Sequence, residues 1–235
     1  MNRFLLVRHG ESIWNKHSRF TGWTDIPLTD KGRKEAKSIG NYLIRNNLIP
    51  DNIYTSRLDR AIETSNIIND TLKIDTQTNL EIIKDWRLNE KHYGSLEGVR
   101  RQYIRELYGE KYTKNMRQKY KMFPPILETL IENPFPVYRN SYLNDLNFIR
   151  GENKEMVYHR VLPIWLTIFR DIQFRQFPLI VTHKHTSRVL MKYLKTIKDD
   201  DFYLYELPEK SILEIHIDKN TGLFIKEIIH NFNDK

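Results

Sequence analysis

Short apolar runs alternate along this chain with stretches whose apolar residues recur every three or four positions. The runs at 4–7, 53–55, 80–83 and 179–182 are typical of buried strands. The periodic stretches predict four helices: one from Thr29 to about residue 47, one that begins at Ser56, one over 157–172, and one capped by Thr186 or Ser187. Residues 212–217 alternate in polarity, and a turn at 220–222 predicts a closing hairpin.

This alternation of strands and helices predicts the α/β class. We expect a single three-layer domain over 1–235, with a mostly parallel sheet, helices on both faces, and a site at the carboxyl ends of the strands. From about 97 to 150 the pattern becomes irregular and is broken by four prolines. We expect this insertion to lie over the strand ends, because long insertions often form lids or binding elements.

Composition removes several classes of function. Hydrophobic residues make up 40% and charged residues 29%, which fits a globular protein, and no apolar run approaches the length of a membrane span. Cysteine is absent, so thiolate chemistry and disulfides are excluded. The net charge is +8, but the cations are dispersed, which argues against nucleic acid as a partner and leaves a small anionic substrate. The chain begins directly with a strand-like run, so we expect a cytoplasmic protein without a signal peptide; a homo-oligomer is left open.

Two of the strand-like runs end on a histidine. Arg8 and His9 follow the first run, and His183 follows the run at 179–182. Neighbouring parallel strands would bring both imidazoles to one edge of the sheet. A neutral imidazole is a good nucleophile near neutral pH, and the arginine fork matches phosphate oxygens. The pair therefore predicts phosphoryl transfer, although a single histidine after a strand is more often structural.

Further motifs strengthen this interpretation. Arg60 falls in the first turn of a predicted helix, where the helix terminus also favours an anion. The segment around Glu90 and Tyr93 offers a carboxyl group beside a phenol. His183 and His185 have the spacing of a metal pair, but no third ligand has suitable spacing, so we predict no metal site.

Together these segments resemble the cofactor-dependent phosphoglycerate mutases of the histidine phosphatase superfamily, from about Phe4 to His230. The resemblance implies an α/β enzyme without a metal, in which His9 becomes phosphorylated and Glu90 donates the proton. It also implies that Arg8, Arg60 and His183 form the phosphate pocket, whose positive charge would come from the two arginines and from His183 when it is protonated. The substrate-contacting positions would be Asn15, Thr21, Gly22, Tyr93, Arg101, Arg117, Gln118, Lys184 and His185.

The chain departs from that family at several of these positions. The mutases have glycine and asparagine after the second histidine, where this chain has Lys184 and His185. A glycine at such a turn lets backbone N–H groups approach a phosphate closely, whereas Lys184 and His185 add bulk, although Lys184 could itself contact an anion. A family pair of arginines reads Arg117 and Gln118, so one charge of the substrate clamp is missing, and Arg101 replaces a lysine. The chain also ends soon after its last predicted strand, so we expect no closing tail.

These departures leave three outcomes open. A weaker clamp admits water, so we favour hydrolysis of a small phosphorylated metabolite, with no cofactor. The first alternative is a working phosphoglycerate mutase with 2,3-bisphosphoglycerate as primer. The second is a catalytically weak relative that only binds a phosphorylated ligand, which the retention of His9, Glu90 and His183 disfavours.

Overall fold

The computed structural model describes residues 2–126, 151–205, 208 and 210–232. Its strands are β1 (Arg3–Arg8), β2 (Asn52–Thr55), β3 (Glu81–Lys84), β4 (Pro178–Thr182), β5 (Ser211–Ile217) and β6 (Phe224–Asn231). Its α-helices are α1 (Ile13–Lys16), α2 (Asp30–Arg45), α3 (Asp59–Thr76), α4 (Arg101–Tyr108), α5 (Glu110–Gln118), α6 (Lys154–Gln173) and α7 (Lys184–Leu194). Short 3₁₀ turns lie at Trp86–Leu88, Gly94–Leu96 and Phe202–Leu204.

The strands form one six-stranded sheet in the order β3-β2-β4-β1-β5-β6. The first four are mutually parallel, while β5 runs antiparallel to β1 and forms the predicted hairpin with β6. The sheet is therefore mixed but mostly parallel, as the sequence predicts. Within the described residues, no helix combines the length and apolar character needed to cross a bilayer.

Alternation along the strands divides the core into two layers. Phe4 and Leu6 of β1 pack on one face of the sheet against α6 and α7. Leu5 and Val7 pack on the other face against α2 and α3. Since successive side chains of a strand point to opposite faces, both faces are apolar and both are covered by helices. The predicted α/β fold is confirmed.

Two predicted helix starts were wrong. Thr29 does cap α2 by accepting the N–H of Gly32. In contrast, α3 begins at Asp59 rather than at Ser56, and α7 begins at Lys184 rather than after Thr186 or Ser187. The hydroxyl groups of Ser56 and Thr186 instead bind groups of the catalytic region, which gives them tertiary partners in place of a helix terminus.

The prediction of an irregular stretch over 97–150 was also wrong for its first part, which forms α4 and α5; residues 127–150 lie outside the described part of the chain. Ile104 of α4 and Met116 of α5 pack with Phe20, Tyr93 and Leu96 in a third apolar cluster. This cluster anchors the two helices at the carboxyl edge of the parallel strands. The helices thereby reach the site that the strands position.

Candidate active site

The parallel register of β1 and β4 brings the two histidines together. Arg8 pairs with Thr182, and the backbone N–H of His9 donates to the carbonyl of Thr182 at 3.0 Å. His9 and His183 follow immediately, and their ring centroids lie 4.9 Å apart. Both imidazoles are buried. The prediction that the two strands deliver them to one edge is confirmed.

His9 has a defined tautomer. Its Nδ1 lies 2.7 Å from the carbonyl oxygen of Gly10, so Nδ1 carries the proton and donates it. Burial, reinforced by the charges of Arg60 and Arg8, holds the pKa of His9 well below its usual range. The imidazole is therefore neutral, and its Nε2 carries a lone pair, which is the state that a nucleophile needs.

Arg60, the second residue of α3, is completely buried beside His9. Its Nε lies 3.3 Å from Nε2 of His9, and its two terminal nitrogens donate to the carbonyls of Thr24 and Gly22 at 3.0 and 2.8 Å. Burial lowers the pKa of Arg60 to about 10, so the guanidinium stays charged near neutrality. Its orientation is fixed by backbone groups before any ligand arrives.

Ser56 orients the second histidine. Its Oγ lies 2.8 Å from Nε2 of His183 and already accepts the N–H of Leu58 at 3.2 Å. We assign the hydroxyl proton to the bond with Nε2, which places the ring proton of His183 on Nδ1, an atom without a hydrogen-bond partner among the described residues. Burial, then Arg60, lowers the pKa of His183 well below its usual range. In the free protein, His183 is thus a neutral N–H donor and not the cation that the sequence interpretation allowed.

Glu90 is held by a framework that the sequence did not reveal. Its Oε1 accepts the backbone N–H groups of Lys91 and His185 at 2.8 and 3.2 Å. The buried guanidinium of Arg160 donates to the carbonyl of Glu90 at 2.9 Å and binds both carboxylate oxygens of Glu152. A bidentate ion pair of two buried groups is geometrically specific, so it fixes the segment that carries Glu90.

Gly22 is required by the backbone of this region. It has φ of +53°, and a Cβ there would lie 1.8 Å from Oε1 of Glu97. That carboxylate accepts the N–H groups of Trp23 and Tyr93 at 2.9 and 3.1 Å. A side chain at position 22 would therefore displace Glu97 and the loop whose carbonyl binds Arg60.

These groups surround a small cavity of about 40 Å³, which we call the catalytic cavity. Its lining contains Arg8, His9, Asn15, Phe20, Thr21, Gly22, Arg60, Glu90, Tyr93, Arg101, Arg117, Lys184 and His185. Gln118 does not line it. Gln118 lies instead on a neighbouring cavity of about 340 Å³, the outer cavity, which also contacts Arg101, Arg117, Lys184 and His185. The fold thus brings together every predicted site residue except Gln118, with His183 immediately beside His9.

Lys184 and His185 do not form the glycine-dependent turn that the resemblance to the mutases implied. They are the first two residues of α7, and neither has a positive φ. His185 is buried among Lys154, Lys91, Arg188 and Arg117, and burial together with these charges lowers its pKa well below the usual range. A neutral imidazole and an added lysine therefore fit here without backbone strain.

Positive charge dominates the site. Among the described residues, Arg101 and Arg117 have neither a hydrogen bond nor an ion pair to an acidic group, and Glu90 is the only carboxylate that lines the catalytic cavity. Burial and the charges of Arg117 and Arg8 lower the pKa of Arg101. Uncompensated guanidinium groups are stabilised by an anionic ligand. In the part of the chain that the structure describes, no three histidine or carboxylate side chains converge as a metal site requires.

The sequence matches the histidine phosphatase superfamily (branch 1) over residues 4–227. This chain belongs to that superfamily. Its match spans β1 and His9, α3 and Arg60, and β4 and His183, so the geometry above is that of a histidine phosphatase superfamily enzyme, either a phosphatase or a mutase.

Similar sequences are named as mutases, and a phosphatase is among the similar solved structures. A 2,3-bisphosphoglycerate-dependent phosphoglycerate mutase of Rhodococcus jostii is 39% identical, covering 92% of this chain and 85% of that protein. Phosphoglycerate mutase 2 of Bacteroides thetaiotaomicron is 37% identical, covering 95% and 90%. Among solved structures, a mycobacterial glucosyl-3-phosphoglycerate phosphatase has a TM-score of 0.72 at 19% identity, and the match covers 100% of this chain and 99% of that one. Bacillus stearothermophilus YhfR has a TM-score of 0.69 at 29% identity, and the match covers 95% of this chain and 94% of that one.

Proposed function

We propose that this histidine phosphatase superfamily enzyme transfers a phosphoryl group through a phosphohistidine at His9, and that its substrate is a small phosphorylated carboxylic acid. The observation that carries the proposal is the neutral His9, with Nδ1 bound to Gly10 and Nε2 directed to Arg60 in a cationic cavity. Only an unprotonated Nε2 can attack phosphorus, and this site keeps it unprotonated.

Charge on the phosphoryl oxygens would be stabilised by groups that are already in place. Arg8 and Arg60 supply guanidinium groups, and His183 supplies its Nδ1–H. Phosphoryl transfer depends mainly on such positioning and on charge stabilisation. Since the orientations of Arg60 and His183 are fixed by Gly22, Thr24 and Ser56, little reorganisation is needed when the substrate binds.

Glu90 is proposed as the proton donor to the leaving oxygen. It lines the same cavity as His9, and its Oε1 accepts two backbone N–H groups. The second carboxylate oxygen, Oε2, is then the one that serves the substrate. General acid catalysis of this kind contributes roughly 10²–10⁴-fold.

Arg101 and Arg117 are proposed to bind the carboxylate of the substrate. Their lack of acidic partners supports this role, and so does their position beside the phosphate-binding groups. If the outcome is mutase action, the same cations suit 2,3-bisphosphoglycerate, which when bound supplies the phosphoryl group that primes His9. Asn15, Thr21 and Tyr93 complete the wall of the cavity.

For the outcome, we propose mutase action first and hydrolysis second. The sequence interpretation favoured hydrolysis because a clamp charge is missing at Gln118 and bulk is added at Lys184. Two observations weaken that argument: Lys184 adds a cation to the same cavity, and the helical backbone there accepts a side chain. The mutases that are 37–39% identical over more than nine-tenths of this chain also support mutase action. Hydrolysis stays the second candidate, favoured by Gln118.

Two measurements test these proposals. Incubation with a labelled phosphomonoester should leave an acid-labile, base-stable label that His9→Ala abolishes and that the exposed control His159→Ala retains. Label on His9→Ala would exclude His9 as the nucleophile. Protein given 3-phosphoglycerate and 2,3-bisphosphoglycerate should then form 2-phosphoglycerate at about ten or more turnovers per second, an ordinary enzyme rate. Release of inorganic phosphate without 2-phosphoglycerate would establish the second candidate instead.

A further inference from the structure

The outer cavity adjoins the catalytic cavity, because four residues line both. The catalytic cavity, at about 40 Å³, holds only a few water-sized groups, which suits a phosphoryl group and little more. The outer cavity is about 340 Å³. A neighbouring cavity of about 230 Å³ shares Arg8, His9, Asn15 and Lys184 with the catalytic cavity, so two spaces adjoin the reacting group. A substrate body that extends along Arg101 and Arg117 enters the outer cavity, whose chemistry then contributes to its binding.

The outer cavity is strongly cationic. Of the described residues that line it, six are arginine or lysine, and the only carboxylate is Glu110, which lies 3.9 Å from Arg105. Arg105 on α4 and Lys114 on α5 are exposed and line this cavity but not the catalytic one. So many cations around one space repel each other, and a bound anion relieves that repulsion.

The positions of Arg105 on α4 and Lys114 on α5 follow from the helical spacing. Arg105 follows Arg101 by four residues on α4, and Lys114 precedes Arg117 by three residues on α5. Residues three or four apart lie on one helix face about one turn, or roughly 5 Å, from each other. Each member of the Arg101–Arg117 pair thus has a second cation about one helical turn away, which lines the outer cavity but not the catalytic cavity.

We propose that Arg105 and Lys114 form a distal anion subsite, which binds the second phosphate of bisphosphorylated compounds longer than a three-carbon acid. This inference rests on the proposed function, since the first phosphate is the one that His9 attacks. For such a compound, Nε2 of His9 bonds to phosphorus while the P–O ester bond breaks, and the leaving alkoxide takes the proton of Glu90. In the hydrolytic outcome, water then attacks phosphorus as the P–N bond breaks; inorganic phosphate leaves, and one proton of the water returns to Glu90.

The test is a chain-length series of linear diol bisphosphates, from 1,3-propanediol to 1,6-hexanediol, with the hexanediol monophosphate as reference. Dissociation constants are measured by calorimetry on the full chain with His9→Ala, so that no turnover occurs. Affinity for the bisphosphates should rise with length by about fivefold to tenfold, as two exposed ion pairs allow. The hexanediol monophosphate, which lacks the second phosphate, should bind more weakly than the hexanediol bisphosphate.

The double variant Arg105→Gln/Lys114→Gln should remove the gain with length. A matched control, Arg100→Gln/Lys111→Gln, removes the same charges from exposed positions of the same region that line neither cavity, and it should keep the gain. The proposal is overturned if affinity does not rise with length, if the gain survives the first variant, or if both variants lose it equally. Labelling of His9 by propanediol bisphosphate tests the proposed function separately, since it does not involve the distal subsite.

Discussion

The Nε of Arg60 donates its N–H to Nε2 of His9 over 3.3 Å, and the other nitrogens of the same guanidinium donate to backbone carbonyls. One buried side chain therefore fixes the lone pair of the nucleophile and carries the charge that the transferred phosphoryl group would meet. Lysine could keep the charge but not the three-way fork.

We expect Arg60→Lys to slow phosphorylation of His9 by about 10²–10³-fold, the usual cost of losing one preorganised donor to a transition state. Single-turnover labelling with a phosphomonoester measures this rate directly. The exposed Arg57→Lys, three residues earlier, is the control and should label at the wild-type rate. A rate for Arg60→Lys within about twofold of wild type would show that charge alone suffices.

Glu90→Gln should slow reaction of alkyl phosphates by about 10²–10⁴-fold, because an alkoxide needs a proton as it leaves. Aryl phosphates with acidic phenols should be affected far less. Comparing kcat/KM for the two substrate types checks this, with the exposed Glu81→Gln as control. Equal losses for both types would remove Glu90 from the role of general acid.

Three of the buried histidines, His9, His183 and His185, predict a steep loss of stability in acid. Burial lowers the pKa values of His9, His183 and His185 in the folded state, whereas the unfolded chain binds these protons near pH 6.5. Below that pH the unfolded state holds more protons, so the free energy of unfolding falls as pH falls, by up to about 1.4 kcal/mol per pH unit for each histidine.

Denaturant titrations between pH 7.5 and 5.5 measure that slope. His185→Asn should reduce this slope by the contribution of one proton, up to about 1.4 kcal/mol per pH unit, and the exposed control His159→Asn should leave the slope unchanged. A slope that is the same with and without His185 would mean that His185 is protonated in the folded protein.

Gly32→Ala should destabilise the protein by about 1–3 kcal/mol, the usual cost of forcing atoms into a packed contact. A Cβ at Gly32 would lie 2.1 Å from the carbonyl oxygen of Glu11, and one at Gly10 would lie 2.3 Å from the carbonyl oxygen of Gly32. The loop after His9 thus packs directly on the first turn of α2. Gly32→Ala should lower the melting temperature and slow the labelling of His9, whereas the exposed Lys34→Ala on the same helix should change neither.

The local pattern of apolar and polar residues was sufficient to predict much of the secondary structure of this protein. The period of apolar residues predicts the strands, most helices and the closing hairpin, because periodicity reports which side of an element is buried. It also predicts that His9 and His183 meet, since parallel strands place their carboxyl ends at one edge. The Thr29 cap could be found because its partner, Gly32, lies three residues away.

Where the sequence interpretation was wrong, the deciding contacts are long-range. Ser56 resembles a helix cap but binds His183, which is 127 residues away in sequence. The Arg160–Glu152 ion pair spans only eight residues, but its contact with Glu90 spans 70, so nothing local in the sequence indicates that this pair holds the Glu90 segment. A loss of clamp charge at Gln118 is visible in the sequence, but only the fold shows that Lys184 lines the catalytic cavity and that Gln118 does not. By itself, the sequence determines the elements and the identities of the reactive groups, since these depend on neighbouring residues. Only the tertiary structure decides their protonation and orientation and the total charge of the cavity, since these depend on burial and on partners brought together by folding.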